Sequence, residues 1–256
     1  MENQPAVQSL ERAFRLIELL SHNPDGMPLM ELSCTSGLHK STVHRLLASL
    51  SQLGYVKKDE SSGRYRLTLK LFELSGRVVD SIDVLGLAKA PLEQLRNATQ
   101  EAVHLVIREG IEIVYIHKVE SRSGSIRMFS RLGMRRPLYC TAVGKSILAT
   151  MPDDEVTQIW NRSDIHAYTE HTITDLSRLF RELDQIRQCG YAFDNEENEL
   201  GVRCIGAAVR DYTGRGKAAI SVSAPLARMT DERVRLLVPQ LLAAAQQIST
   251  DLGFSR

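Results

Sequence analysis

Seven cationic side chains crowd one short stretch of this 256-residue chain. Lys40, Arg45, Lys57, Lys58, Arg64, Arg66 and Lys70 fall within residues 40–70, against only Asp59 and Glu60. The chain as a whole is nearly neutral, with 32 Lys+Arg and 31 Asp+Glu, so the local net of +5 is a patch and not a property of the molecule. Residues 1–39 carry a net of −3 and everything after residue 70 a net of −1. A positive block confined to one motif is the electrostatic footprint of a surface that binds phosphates. Lys40, Ser41 and Thr42 stand where a helix should begin, and free backbone amides at that end favour a phosphate. Projected at the helical angle, Ser41, Arg45, Ala48 and Gln52 share one side with His44 and Ser49 flanking, while Val43, Leu46, Leu47, Leu50 and Leu53 form an apolar stripe opposite.

A second group of residues suits a small ligand. Thr141, Ala142, Val143 and Gly144 lead into a predicted helix whose first N–H groups can hold a carboxylate. Arg136, just upstream, is able to grip an acid with two parallel hydrogen bonds. Ser221 and Ser223 lie two residues apart on a predicted strand, so both hydroxyls point to one face. The run Asp194–Glu199, DNEENE, offers oxygens for a hard cation, but such a run is more often a solvated loop, and no metal is expected there. Cys140 and Cys204 with His104 and His117 raise a catalytic alternative. No nucleophile motif surrounds either cysteine, and a buried cysteine usually behaves as a small apolar group, so no enzyme activity is expected.

The elements that must position the basic residues form a recognisable series. Residues 28–53, PLMELSCTSGLHKSTVHRLLASLSQL, predict two short helices joined by a turn at Gly37, with the second helix laid on the major groove of DNA. Residues 54–68 predict a basic hairpin, with strands at 54–58 and 64–68 and a turn at 59–63. A hairpin directly after a recognition helix is a wing. Residues 7–21 predict an amphipathic helix buried through Leu10, Phe14, Ile17 and Leu20 or Leu19, which completes a winged helix over 1–68. Residues 69–83 predict an apolar linker helix, with Leu71, Leu74, Val78 and Ile82 on one side.

Beyond residue 84 helices and strands mix. Helices are expected at 84–99, 142–150, 153–160, 175–189 and 230–252. Strands are expected at 102–108, 111–117, 126–132, 205–210 and 218–223, with tight turns at Glu109-Gly110 and at 213–216. Strands in antiparallel hairpins with helices between them make the class α+β, with an N-terminal winged helix-turn-helix domain and a C-terminal domain over 84–256. The composition, 43% apolar and 25% charged, is that of a globular chain. No apolar run approaches the roughly 18 residues that span a membrane, and the start MENQPAVQSLERAF has no basic or apolar export signal, so a cytoplasmic location is expected. The four cysteines show no CxxC pair, which argues against a zinc finger or a disulfide frame.

SLERAFRLIELL, LMELSCTSGLHKSTVHRLLASLSQLGYV and GRYRLTLKLFEL together resemble the N-terminal domain of the IclR family of bacterial transcriptional regulators. The similarity continues through LGMRRPLYCTAVGKSILA, HTITDLSRLFRELDQIRQCGYAFDNEENELGVRCIGAAV and AAISVSAPLARMTDERV, in order and over nearly the whole chain. The resemblance implies a winged helix, a linker helix and a GAF-like effector domain that binds a small ligand. Operator DNA is the expected partner. One winged helix offers few phosphate contacts, so a homodimer is expected, with a tetramer as the alternative, and no metal or redox cofactor is expected. It also implies that Met128 and Arg136 line the ligand cavity with Asp194 and Cys204, that Val202 forms an apolar wall, and that Thr141–Gly144, Ser221 and Ser223 complete it. His39 stands where the family often has proline, and Val143 where Ala or Gly is common, so the helix start and the cavity shape differ from many relatives. LTLKLFEL and PLYCTAVGK look most like members that control the use of sugar acids. The polar set of the 141–144 amides, Arg136, Asp194, Ser221 and Ser223 leads to the expectation of a small carboxylate, a sugar acid or keto acid, with an aromatic acid as the alternative. The function expected is a DNA-binding regulator that represses a catabolic operon, with a small-molecule sensor or enzyme whose helix pair does not touch DNA as the alternative.

Overall fold

A computed structural model describes residues 7–71, 73–74, 83–120 and 130–255. The chain divides into two compact units, Met1–Ile82 and Asp83–Arg256. The predicted linker falls largely outside the described residues: Leu71 and Leu74 are described, Val78 and Ile82 are not.

The described residues of the first unit include three helices packed with a small sheet, and Lys70, Leu71, Glu73 and Leu74 are helical as well. Helix α1 (Gln8–Ser21) is followed by strand β1 (Met27–Pro28), helices α2 (Leu29–Ser36) and α3 (Lys40–Gln52), and strands β2 (Val56–Lys58) and β3 (Arg64–Leu67). Gly37 ends α2 in the left-handed conformation, φ 69°, which a glycine reaches without a Cβ penalty. The next helix can then cross the first after three residues. The antiparallel sheet runs β1-β3-β2, with Lys57 opposite Arg66 and Lys58 opposite Tyr65. Its core holds Leu16, Leu20, Leu32, Val43, Leu47, Leu50, Val56 and Tyr65. The C-terminal half of helix α1 meets expectation, with Leu20 buried and Ile17 and Leu19 packed on the core, but Leu16 is buried where it was not expected, and Leu10 and Phe14 remain 57% and 59% exposed. Leu53, expected on the buried stripe of α3, is also exposed, because the helix has ended at Gln52. Strand β1, a two-residue piece carrying a proline, was not legible in the sequence.

The second unit is a six-stranded antiparallel sheet, ordered β6-β5-β4-β9-β8-β7 and flanked by helices. Its elements are α4 (Val84–Thr99), β4 (Ala102–Glu109), β5 (Glu112–Val119), β6 (Arg135–Pro137), α5 (Ala142–Leu148), α6 (Asp153–Arg162), α7 (Leu176–Cys189), β7 (Ala192–Asn195), β8 (Val202–Arg210), β9 (Gly216–Pro225) and α8 (Asp231–Asp251). The two-residue period divides the sheet into faces. Val106, Ile113, Ala192 and Ala219 share a core with α5, α6 and α7. Leu105, Ile220 and Val222 belong to the opposite face, where α4 and α8 pack on β4 and β8. Helix α4 runs unbroken through Pro91. The strand predicted at 126–132 is not found in its described part, residues 130–132, and residues 126–129 lie outside the described ones. Arg135–Pro137 supplies the edge strand. Strand β7 falls where the sequence suggested only a loop.

One close approach fixes α5 against the sheet. A Cβ on Gly206 would lie 2.7 Å from the carbonyl carbon of Ala142 and 2.8 Å from the nitrogen of Val143. Only glycine lets β8 pass this near the start of α5.

Candidate functional site

The helix α3 face opposite the core is open along its length: Ser41, His44, Arg45, Ala48, Ser49 and Gln52 are all exposed, and so is Lys40. Thr42 is half-buried at the helix start, with its N–H on the carbonyl of His39. His39 precedes the helix and offers no side-chain cap, so nothing from that side chain covers the first amides. In the wing, Lys57 and Lys58 are exposed. The two wing arginines are engaged within the protein. Arg64 donates from Nη1 to the carbonyl of Gly26 at 2.8 Å, and Arg66 donates from Nη2 to Asp59 Oδ2 at 2.6 Å. The Asp59 carboxyl sits at about 2, lowered first by the Ser61 hydroxyl, then by the amides of Ser62 and Ser61, and last by Arg66. The surface therefore presents Lys40, Ser41, His44, Arg45, Lys57 and Lys58 directly, with Arg64 and Arg66 held by neighbours.

The second unit gathers several predicted ligand residues around one cleft. Arg136, Asp194, Val202, Cys204 and Ser223 line it, with His104, Tyr115, Ser130, Met134, Asn198 and Glu199. The register explains the convergence. Ser223 pairs with Cys204, Cys204 with Asp194, and Ser221 with His104, which puts these side chains on the helix α5 face of neighbouring strands. Ser221 is buried behind the lining and lies 3.3 Å from His104 Nδ1. Met128 lies outside the described residues.

Thr141, Ala142, Val143 and Gly144 do not reach the lining. They are buried, and the Gly144 N–H is already taken by Thr141 Oγ1 at 3.0 Å. Helix α5 spans only seven residues. The cleft measures about 40 Å³, room for a water or two and not for a sugar acid, so an effector has to widen it. A larger groove of about 630 Å³ runs between α7, β8 and α8. Its arginines are already committed: Arg187 to Asp153, Asp184 and two carbonyls, Arg210 to Gly214 and the ring of Phe254. The smaller cleft has the convergent chemistry.

Charges around the cleft are displaced from their ordinary states. His104 is fully enclosed, and burial, aided by Lys118, lowers its imidazole to about 3. It is neutral at any physiological pH, with Nε2 2.8 Å from Ser130 Oγ and Nδ1 3.4 Å from Ser223 Oγ. Burial first, and Glu197 second, push the Asp194 carboxyl up to about 7 against the pull of Lys145 and two loop amides. Burial also raises the Cys140 and Cys204 thiols well above their usual range, so neither is poised as a nucleophile.

Sequence reasoning missed Lys145. It sits in the middle of α5 with no exposed surface, and its Nζ donates to Glu182 at 2.7 Å and Glu197 at 2.5 Å. Burial alone would lower its ammonium, but the two carboxylates hold it above its ordinary value. The 194–199 run is thus an ordered loop and not a solvated one. Asp194 Oδ1 accepts the amides of Glu197 and Asn198, while the Thr169 and Thr172 hydroxyls donate to the carbonyls of Glu196 and Glu197. Among the described residues, no group of three or more His, Cys, Asp or Glu is arranged to hold a metal. No helix is long and apolar enough to cross a membrane among them.

The chain as a whole resembles known proteins. Residues 9–60 match the IclR helix-turn-helix domain, and residues 76–250 match the family described as bacterial transcriptional regulator IclR C-terminal. The DNA-binding transcriptional repressor YiaJ of Escherichia coli is 40% identical over 99% of this chain and 91% of its own length. The HTH-type transcriptional regulator KdgR of the same organism is 40% identical over 99% of this chain and 96% of its own. Among solved structures, the Thermotoga maritima IclR superposes with a TM-score of 0.65 at 35% identity, covering 96% of this chain and 99% of that one. Two consecutive family matches, near-complete coverage and relatives named as regulators agree with the exposed recognition helix and the basic wing, and the chain belongs to the IclR family of DNA-binding transcriptional regulators and is not an enzyme.

Proposed function

We propose that the protein represses a catabolic operon and that a small carboxylate with hydroxyl or keto groups, a sugar acid or keto acid, modulates its hold on operator DNA. Residues 1–68 act as the DNA-binding domain, 69–83 as the linker and 84–256 as the effector domain. Lys40, Ser41, Thr42, His44 and Arg45 meet the operator from α3, and Lys57, Lys58, Arg64 and Arg66 from the wing. The observation that carries the effector reading is the cleft itself: Arg136 shares its lining with a neutral imidazole, a carboxyl raised to about 7, the Ser223 hydroxyl and the apolar side chains of Val202 and Met134. One guanidinium and several neutral hydrogen-bonding groups suit one acid group plus hydroxyls. No metal or redox cofactor is required. The protein works in the cytoplasm as a homodimer or a tetramer, since a single winged helix makes few phosphate contacts and a two-fold site doubles them. The exposed Leu10 and Phe14 on α1 support a paired form of the first unit. Calorimetric titration with gluconate, pyruvate and benzoate tests the effector class. Binding of the first or second that Arg136→Ala abolishes is the expected result; binding of benzoate alone overturns it.

A further inference from the structure

The carboxylates around the cleft outnumber the cations. Lys145 is shared between Glu182 and Glu197. Asp194 stands beside this trio, because the Glu197 amide donates to its Oδ1 at 2.9 Å. Among the described residues Arg136 is the one cation on the lining, Lys118 lies close by with its Nζ on the Ser130 carbonyl and its charge acting on His104, and Glu199 adds a further carboxylate from the loop. The other titratable groups on the lining, the buried His104 and the half-buried Tyr115 and Cys204, are held in their neutral forms, as is the buried Cys140. An incoming carboxylate would meet Arg136 but also an ionised Asp194 nearby. Two like charges lining one desolvated space disfavour each other's ionised form.

Asp194 has the geometry to resolve the conflict. Oδ1 is occupied by the amides of Glu197 and Asn198, while Oδ2 accepts no hydrogen bond from the described residues and the side chain lines the cleft. We propose that Asp194 binds the effector carboxylate as its protonated acid, Oδ2–H donating to one ligand oxygen while Arg136 donates to the other, so that each effector enters with one proton from solvent. This rests on the carboxylate reading of the cleft. The group titrates near neutrality before any ligand arrives, held up by burial and by Glu197. A second anion raises it further, so affinity is greatest below about pH 7 and falls about tenfold per unit above it until the bound form also ionises.

The test is calorimetry of the full-length protein with gluconate and with pyruvate at pH 8 and pH 6, each in two buffers of different ionisation enthalpy. The expected result is uptake of about one proton per ligand at pH 8 and nearly none at pH 6. Asp194→Asn keeps Oδ1 for the loop and supplies an N–H in place of the acid, so it should bind without proton uptake and without pH dependence. Acid binding with no proton exchange in the wild type overturns the inference and leaves the carboxylate reading standing. Binding of sorbitol but of neither acid overturns both. A ligand-free measurement stands beside these: the infrared spectrum of wild type minus Asp194→Asn at pH 6 should show the carbonyl stretch of a protonated carboxyl, and its absence also overturns the inference.

Discussion

At the scale of single residues, the cleft stores two unusual protonation states that must show in stability. The Asp194 carboxyl lies far above its unfolded value, so the native state binds more protons than the unfolded state between about pH 4 and 7. Its contribution is full below pH 4 and lost as pH rises through about 7, on the order of 2–4 kcal/mol. His104 runs the other way. Its folded value is depressed to about 3, so its contribution is present above about 6.5 and lost as pH falls toward 3. Urea unfolding of wild type and Asp194→Asn from pH 4 to 8 should show the variant gaining relative stability as pH rises; parallel curves contradict it. Lys145→Met leaves Glu197 and Glu182 without their buried cation and should lose about 3–5 kcal/mol, read as a large drop in urea midpoint. A midpoint near wild type would mean the trio is solvated.

Much of this chemistry was hidden in the sequence. Arg136, Asp194, Val202, Cys204 and Ser223 were found through a family resemblance and not through their chemistry alone. Lys145 was invisible because a lysine in a short helix ordinarily extends to solvent, and its carboxylate partners lie 37 and 52 residues away. His104 was noticed as a titratable group, yet only the pairing of β4 with β9 shows that it shares a face with Ser221 and Ser223.

At the scale of elements, period and punctuation carried the first unit well. The stripe Val43, Leu47, Leu50 and the turn at Gly37 place α3 with its polar side outward. Arg45→Ala should cost about 1–3 kcal/mol on a specific operator and relax the preference at one base pair. Lys57→Ala should weaken all sequences alike and flatten the dependence on salt. Arg66 differs because Asp59 holds it. Asp59→Ala should free its charge for the backbone and steepen the salt dependence, measured by anisotropy from 50 to 200 mM salt. An unchanged slope would remove Arg66 from the phosphate contacts. In α1 the expected Leu10 and Phe14 stay exposed while Ile17 and Leu20 meet the core, because its apolar residues occupy more than one face and periodicity alone does not say which of them a partner covers. Strands β1 and β7, two and four residues long, are shorter than the window on which alternation can be read.

At the scale of the whole molecule, the proposed effector response requires that a ligand in the cleft change the affinity of the recognition helix for DNA. The expected coupling is modest, about 1–3 kcal/mol, and reciprocal: operator DNA changes effector affinity by the same factor that effector changes operator affinity. The most direct test selects DNA fragments from a random pool with the purified full-length protein and titrates the enriched site by anisotropy, with and without gluconate or pyruvate. The expected result is a two-fold related pair of half-sites, bound by two copies or more, whose affinity shifts about 5- to 150-fold with one of these acids and not in Arg136→Ala. Tight binding by a monomer to an asymmetric site, unmoved by either acid, would contradict it.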